Sequence, residues 1–160
     1  MKIGLLSDTH GFFDKKVYSY FNDVDEIWHA GDIGDIKVLD DLMGFKKTRA
    51  VYGNIDNFEI RNLCKQELIF SIHNFKIYMT HIGGKPPNYN KEVINKIKEI
   101  RPDIFICGHS HILNISKDKN LNLLYINPGA AGKIGFNKER TLVRFEIKTK
   151  KVTSMEVIKL

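Results

Sequence analysis

Short apolar runs recur along the chain, and five of them stop abruptly at a polar cluster. Residues 3–6 run into Ser7-Asp8-Thr9-His10-Gly11, 27–28 into His29-Ala30-Gly31-Asp32, and 50–52 into Gly53-Asn54-Ile55-Asp56. Residues 77–79 meet Thr80-His81, and 104–107 meet Gly108-His109-Ser110-His111. Runs of this length bounded by turn residues predict strands. Between them, Phe13, Val17 and Phe21 fall on one helical face, as do Val38, Leu39 and Leu42, and then Val93, Ile94, Ile97 and Ile100. Residues 69–72 and 75–79 flank His73-Asn74, which predicts a tight hairpin. The tail, at 121–126, 141–147 and 152–158, predicts strands without intervening helices. Strands that alternate with helices and then continue alone predict an α/β protein, partly parallel, whose later antiparallel strands build a second sheet.

A length of 160 residues with 42% hydrophobic content suits one continuous core, so a single domain over 1–160 is expected. No apolar run approaches bilayer-spanning length, and a soluble, cytoplasmic protein with no membrane partner is expected. Cys64 and Cys107 are far apart and match no paired ligand spacing, so both are expected as small buried hydrophobes. The formal charge of +6 favours an anionic substrate. Its lysines and arginines are scattered, however, and cluster only at Lys46-Lys47-Arg49 and Lys148-Lys150-Lys151. Clusters this short predict solvated loops, and nucleic acid is disfavoured as a partner.

In an open α/β sheet, ligands collect beyond the carboxyl ends of the strands. The residues placed there are alike: Asp8, His10, Asp32, Asn54, His81, His109 and His111 all follow apolar runs. Carboxylates, imidazoles and a carboxamide suit Mn, Fe, Zn, Ni or Mg, and seven donors are too many for one ion. Two ions about 3.5–4 Å apart, sharing a carboxylate and a hydroxide, would use this number and serve in-line displacement at phosphorus. Gly31, Gly53 and Gly108 are expected to let the chain turn sharply just before a ligand.

In order, Asp8-Thr9-His10, Gly31-Asp32, Gly53-Asn54, His81 and Gly108-His109-Ser110-His111 match the five motifs of the calcineurin-like metallophosphoesterases. The chain resembles the short bacterial and archaeal phosphodiesterases of that superfamily from Met1 to about Phe145, including Asn127-Pro128-Gly129. The resemblance implies a two-sheet αββα sandwich. It also implies a first metal on Asp8, His10 and His111, a second on Asn54, His81 and His109, and Asp32 bridging them. Manganese leads the metals expected, with Fe, Ni, Zn or Mg as alternatives. The function implied is hydrolysis of a small phosphodiester by a hydroxide that bridges the two ions, with Asp32, Asn54 and His109 assigned to catalysis. A homo-oligomer stays open.

His73 lies in the hairpin turn and is expected to be exposed, and Trp28 to be core. His29 is left off the ligand set, divided between a supporting hydrogen bond to a ligand or Asp56 and a purely structural role. Asn127 is divided between a contact to phosphate or in support of a ligand and ordinary turn chemistry, with the turn favoured. Many larger relatives of this type carry a His directly after the motif Asn, where this chain has Ile55. An isoleucine cannot transfer a proton, so Asp56, a water or a metal would have to assist the leaving group. The alternative from another functional class is a protein-binding scaffold, as in a eukaryotic retromer subunit of similar fold. All seven ligand positions carry competent side chains here, which favours the enzyme.

Overall fold

The computed structural model describes residues 1–135, 139–149 and 151–160. Lys150, in the second basic cluster, lies outside the described residues. The first layer of strands comprises β1 (Lys2–Leu6), β2 (Glu26–His29), β3 (Lys47–Ala50), β11 (Thr141–Lys148) and β12 (Lys151–Lys159). They form a sheet in the order β12-β11-β1-β2-β3, with β1, β2 and β3 parallel and β11 and β12 antiparallel to their neighbours. The second comprises β4 (Glu67–Ile72), β5 (Phe75–Thr80), β8 (Ile104–Ile106), β9 (Leu113–Asp118) and β10 (Leu123–Pro128), in the order β4-β5-β8-β10-β9. A short ribbon of β6 (Gly84–Lys85) and β7 (Asn88–Tyr89) stands apart. The helices are α1 (Lys16–Tyr20), α2 (Ile36–Phe45), α3 (Phe58–Leu63) and α4 (Lys91–Ile100).

Three apolar layers hold this together. Ile3, Leu5, Trp28 and Phe145 of the first sheet pack against Ile77, Met79, Ile104, Ile106 and Ile126 of the second, so the sheets meet face to face. Successive strand residues point to opposite faces, so Leu6, Ile27 and Leu142 turn the other way and meet Val17, Phe21, Val38, Leu39, Leu42 and Ile60. Tyr78, Phe105 and Tyr125 likewise cover Val93 and Ile97 of α4. Helices therefore flank two packed sheets, as the αββα expectation requires. Among the described residues no helix is long and apolar enough to cross a membrane.

Several local features differ from the sequence reading. Helix α1 holds Val17 and is capped by Phe21, but Phe13 falls before it, because Asp14 accepts from Lys16 N at 3.0 Å and is pinned by Arg140 at 2.9 Å, which delays the helix start. Strand β9 is an edge strand of mixed polarity, and α3, β6 and β7 are too short to leave a periodic trace. The basic cluster at 46–49 is not a solvated loop but opens strand β3. There Lys47 and Arg49 lie 2.6 and 2.8 Å from the carboxylate of Glu26, which is 1% exposed and also accepts from Trp28 Nε1 at 3.0 Å.

Glu26 carries a pH dependence. Burial opposes its charge, but the bonds from Arg49, Lys47 and Trp28 win and hold its carboxyl below the usual range. A depressed folded pKa stabilises the fold above the unfolded value of about 4.3, and that contribution is lost as pH falls through the folded value. Glu26→Gln should cost about 1–3 kcal/mol at neutral pH, the usual loss for a broken buried partner. Urea midpoints measured from pH 7 down to pH 3 should show the wild type converging on the variant at the acid end. Parallel curves would remove the carboxylate from this account.

Candidate metal centre

The strand-end loops form one layered cluster. Asp8 N donates to Gly31 O (2.9 Å), His10 N to Asp32 O (3.0 Å) and Gly11 N to Ile33 O (2.7 Å), so the loops after β1 and β2 run side by side. From the far end of the chain, Ala131 N and Gly132 N donate to Ser7 O and Asp8 O at 2.9 and 3.0 Å. Gly108 N reaches His81 O at 2.9 Å, which joins the loops after β5 and β8. Asp8, His10, Asp32, His109 and His111 all adopt positive φ, between 48° and 68°. Non-glycine residues pay for that conformation, on the order of 1–3 kcal/mol in the least favourable cases, and it aims their side chains off the strand ends into one space.

Two groups of donors result, Asp8 with His10 and His111, and Asp32 with His81 and His109, each with ligand atoms within 4.8 Å of one another. Asp32 reaches toward both: its Oδ1 lies 3.2 Å from His81 Nε2 and its Oδ2 lies 3.7 Å from His10 Nε2. Asp8 Oδ1 is 3.3 Å from His111 Nε2 and 3.9 Å from His81 Nε2, and both Asp8 oxygens accept from His109 N at 3.2 Å. His10 and His111 bring their Nε2 atoms within 3.2 Å of each other. Asp8, Asp32 and His81 are buried.

His81 gives the clearest test of fit for a cation. Its Nδ1 is 2.8 Å from the Ala30 carbonyl, which can only accept, so the ring proton sits on Nδ1 and Nε2 presents a lone pair to the cluster. Among the described residues that buried Nε2 finds no hydrogen-bond partner, its distance to Asp32 notwithstanding. An orphaned lone pair aimed at carboxylates and other imidazoles is the arrangement a divalent cation satisfies. Without a cation the electrostatics point the same way. Burial opposes an imidazolium at His81, yet Asp32 and Asp8 outweigh it and raise its pKa, and a hydrogen bond to Asp8 raises that of His111. Burial also opposes the Asp32 charge, but His81 keeps its carboxyl below the usual range. The site attracts positive charge.

Asn54 is exposed and lines a cleft of about 1080 Å³ together with His81. Its loop is fixed by neighbours: Ile55 N donates to Asp32 Oδ1 at 3.1 Å, and Arg61 donates to the Asn54 and Asp56 carbonyls at 3.1 and 2.7 Å. Asp56 accepts from Gly34 N and Gly53 N, one on each oxygen and both at 2.7 Å, so it braces two loops rather than facing a substrate. Among the described residues His29 hydrogen-bonds to the side chain of neither a candidate ligand nor Asp56; its Nε2 meets Thr9 Oγ1 at 2.9 Å and its Nδ1 accepts from Gly31 N at 3.2 Å. It thereby ties together the Asp8–His10 turn and the approach to Asp32, and full burial pushes its pKa down to about 4.

Two expectations change. Asn127 does make the turn bond, accepting from Gly129 N at 3.0 Å, but it also donates to Gly108 O (2.8 Å) and Ser110 Oγ (3.1 Å), so it holds the His109–His111 loop. Sequence reasoning ranked the turn above such a supporting contact because the reach is across strands. Gly53 and Gly108 do not need positive φ as Gly31 does; they are required by close approach. A Cβ on Gly53 would stand 2.0 Å from Asp32 Oδ1, and one on Gly108 2.1 Å from Ser7 Oγ. His73 and Trp28 stand as expected, exposed in the hairpin turn and fully buried respectively, and both cysteines are buried.

The class is thus an α/β sandwich with a carboxylate–imidazole site, suited to divalent cations, at the carboxyl ends of its strands. The domain model of the calcineurin-like phosphoesterase superfamily matches residues 1–150, and the chain belongs to that family. It is 35% identical over 136 residues to a probable metallophosphoesterase of Methanocaldococcus jannaschii, covering 81% of this chain and 68% of the relative. A phosphodiesterase of the same organism is 27% identical over 146 residues, covering 81% and 83%. Among solved structures, one described as a novel archaeal phosphodiesterase superposes with a TM-score of 0.79 at 25% identity, covering all of both chains. Wild-type Vps29 of Entamoeba histolytica, complexed with zinc, shares the fold at a TM-score of 0.75 and 19% identity, covering 100% of this chain and 98% of that one.

Proposed function

We propose that residues 1–160 act as a single-domain phosphodiesterase that uses two divalent ions, manganese foremost, on a small phosphodiester in the cytoplasm. The observation that carries this reading is Asp32, whose two oxygens face different donor groups. Asp8, His10 and His111 would hold one ion, Asn54, His81 and His109 the other, and Asp32 both. When bound, such ions supply a nucleophile of lowered pKa and neutralise charge developing at phosphorus. The chain's own part is to fix the ligands. Ala30 O sets the His81 tautomer, and the His109 backbone N–H orients the Asp8 carboxylate. Asn127 and His29 hold the loops that carry the ligands. A scaffold role alone would leave seven competent donors and an orphaned imidazole nitrogen without purpose.

The direct test is hydrolysis of bis(4-nitrophenyl) phosphate and of 4-nitrophenyl phosphate at equal protein and manganese concentrations. The diester should be cleaved faster, because a monoester carries a further negative charge. The nearby Arg61 is committed to loop carbonyls and to the Tyr52 ring 4.9 Å away. A faster monoester would overturn the assignment.

Ile55 sits 45% exposed beside Asn54 and has no proton to give, while Asp56 is occupied by backbone donors. General acid catalysis typically contributes about a hundredfold to ten-thousandfold, most for poor leaving groups. Rates across a series of aryl diesters should therefore fall steeply as leaving-group pKa rises, and Ile55→His should flatten the plot. A shallow wild-type slope would mean that another group delivers the proton.

A further inference from the structure

Three apolar residues that directly follow candidate donors are exposed, whereas Ile33, which follows Asp32, is buried. Ile55 follows Asn54, Ile82 follows His81 and Ile112 follows His111, at 45%, 39% and 56% exposure. Three isoleucines left in water beside a charged cluster are costly to solubility and gain nothing in the core. Two of them, Ile82 and Ile112, line a second cavity of about 450 Å³ on the His109 side, with Leu113 and Tyr125.

Its construction is firm. Tyr125 is 2% exposed, and its hydroxyl donates to Gly84 O at 2.9 Å, so the ribbon β6–β7 is fastened to the floor of the pocket. The opposite wall is the start of β9, whose Leu113 pairs with Pro128. Asn88, Asn114 and Lys85 place amide groups and one cation among the lining. The larger cleft, by contrast, is lined by Glu67, Lys91, Glu92, Lys96 and Glu99 and opens on Asn54 and His81. Ile82 and Asn90 belong to both cavities, so the two meet beside the Asp32–His81–His109 group, one apolar and one charged.

We infer that the 450 Å³ pocket is a subsite for one ester arm of the substrate, and that this arm is a flat ring system of nucleobase or aryl type. The inference rests on the phosphodiesterase reading above and deepens it. A phosphate held at the Asp32–His81–His109 group carries two arms on a diester, and two dissimilar cavities leave that point. Aliphatic side chains and an anchored tyrosine stabilise a planar apolar ring by burial, while the carboxamides of Asn88, Asn90 and Asn114 provide for its ring heteroatoms. The pocket is within the size range of small-molecule sites, about 300–1,000 Å³, and larger than a methyl or ethyl arm would fill.

The test keeps 4-nitrophenol as the leaving group and varies the other arm from methyl to phenyl to thymidine. With manganese present, the ring-bearing diesters should exceed the methyl diester in kcat/KM by at least tenfold, chiefly through KM. In Leu113→Trp, which fills the pocket, that ratio should fall toward one. A second measurement follows methyl resonances of Ile82, Ile112 and Leu113 while phenyl phosphate or methyl phosphate is added. Only the phenyl ester should move them. Hydrolysis of all diesters at similar kcat/KM, with no selective methyl shifts, would overturn the subsite and leave the phosphodiesterase reading standing. Selective shifts without hydrolysis of any diester would support the subsite and overturn the reading.

Discussion

Asp32→Asn should lower diester turnover by about a thousandfold or more, because one substitution removes the carboxylate whose two oxygens face the two donor groups separately. Several kcal/mol of transition-state charge stabilisation typically depend on such a centre, and each ~1.4 kcal/mol is a factor of ten in rate. The amide is nearly isosteric and can still accept from Ile55 N, so the fold should survive. What changes is charge: a neutral group then stands 3.2 Å from His81 Nε2 and 3.7 Å from His10 Nε2. Metal content measured by plasma emission should fall below that of the wild type in parallel with the rate. Wild-type turnover in the variant, with manganese in excess, would refute the two-ion proposal.

The second large effect is expected at a residue with no side chain. A methyl group added at Gly53 would stand 2.0 Å from Asp32 Oδ1 and 2.4 Å from Asp32 N, and the backbone atom cannot swing away as a side-chain tip can. Overpacking of this kind costs about 1–3 kcal/mol, which for a chain of this size lowers Tm by roughly 3–10 °C. The loop after β3 would have to retreat and take Asn54 with it. Gly53→Ala should therefore show two losses, a lower Tm for the metal-free protein and a smaller rise in Tm when manganese is added. Gly44, whose added Cβ would meet nothing within 4 Å, is the control. If Gly53→Ala melted like Gly44→Ala and took up metal normally, close packing at Asp32 would not be what selects glycine there.

The sequence exposes the site well because its chemistry lies at strand ends, where a run of apolar residues stops at the functional one. Asp8, His10, Asp32, His81, His109 and His111 are recognisable for that reason, and the structure gathers all six into two groups. Local pattern could not show what holds them. The Asn127 contacts cross from β10 to the β8 loop, and His29 looks in sequence like one more histidine at a strand end. Both roles depend on register between strands separated in the chain by a helix or another strand. The short α3 and the ribbon β6–β7 lack the length for a period to emerge, and the polar edge strand β9 hides its alternation. The pocket beside His109 was invisible because its walls come from the ribbon, the start of β9 and the floor of β10.

The hydrogen bonds from Ala131 and Gly132 to the Ser7–Asp8 turn bear on the order in which the protein is made. Strand β1 lies between β2 and β11, and it pairs with β11 through Lys2↔Glu146 and Leu5↔Val143. Asp8 and His10 leave the ribosome well before the residues that close their turn, which lie more than 120 positions later in the chain. At synthesis rates of about 5–20 residues per second, those early donors wait for several seconds before the strand and loop that hold them exist. Contacts this distant in sequence also slow the folding search itself. Until β11 docks, the Asp8–His10 turn lacks the loop that closes it, so the donor groups come together only after translation has passed that strand.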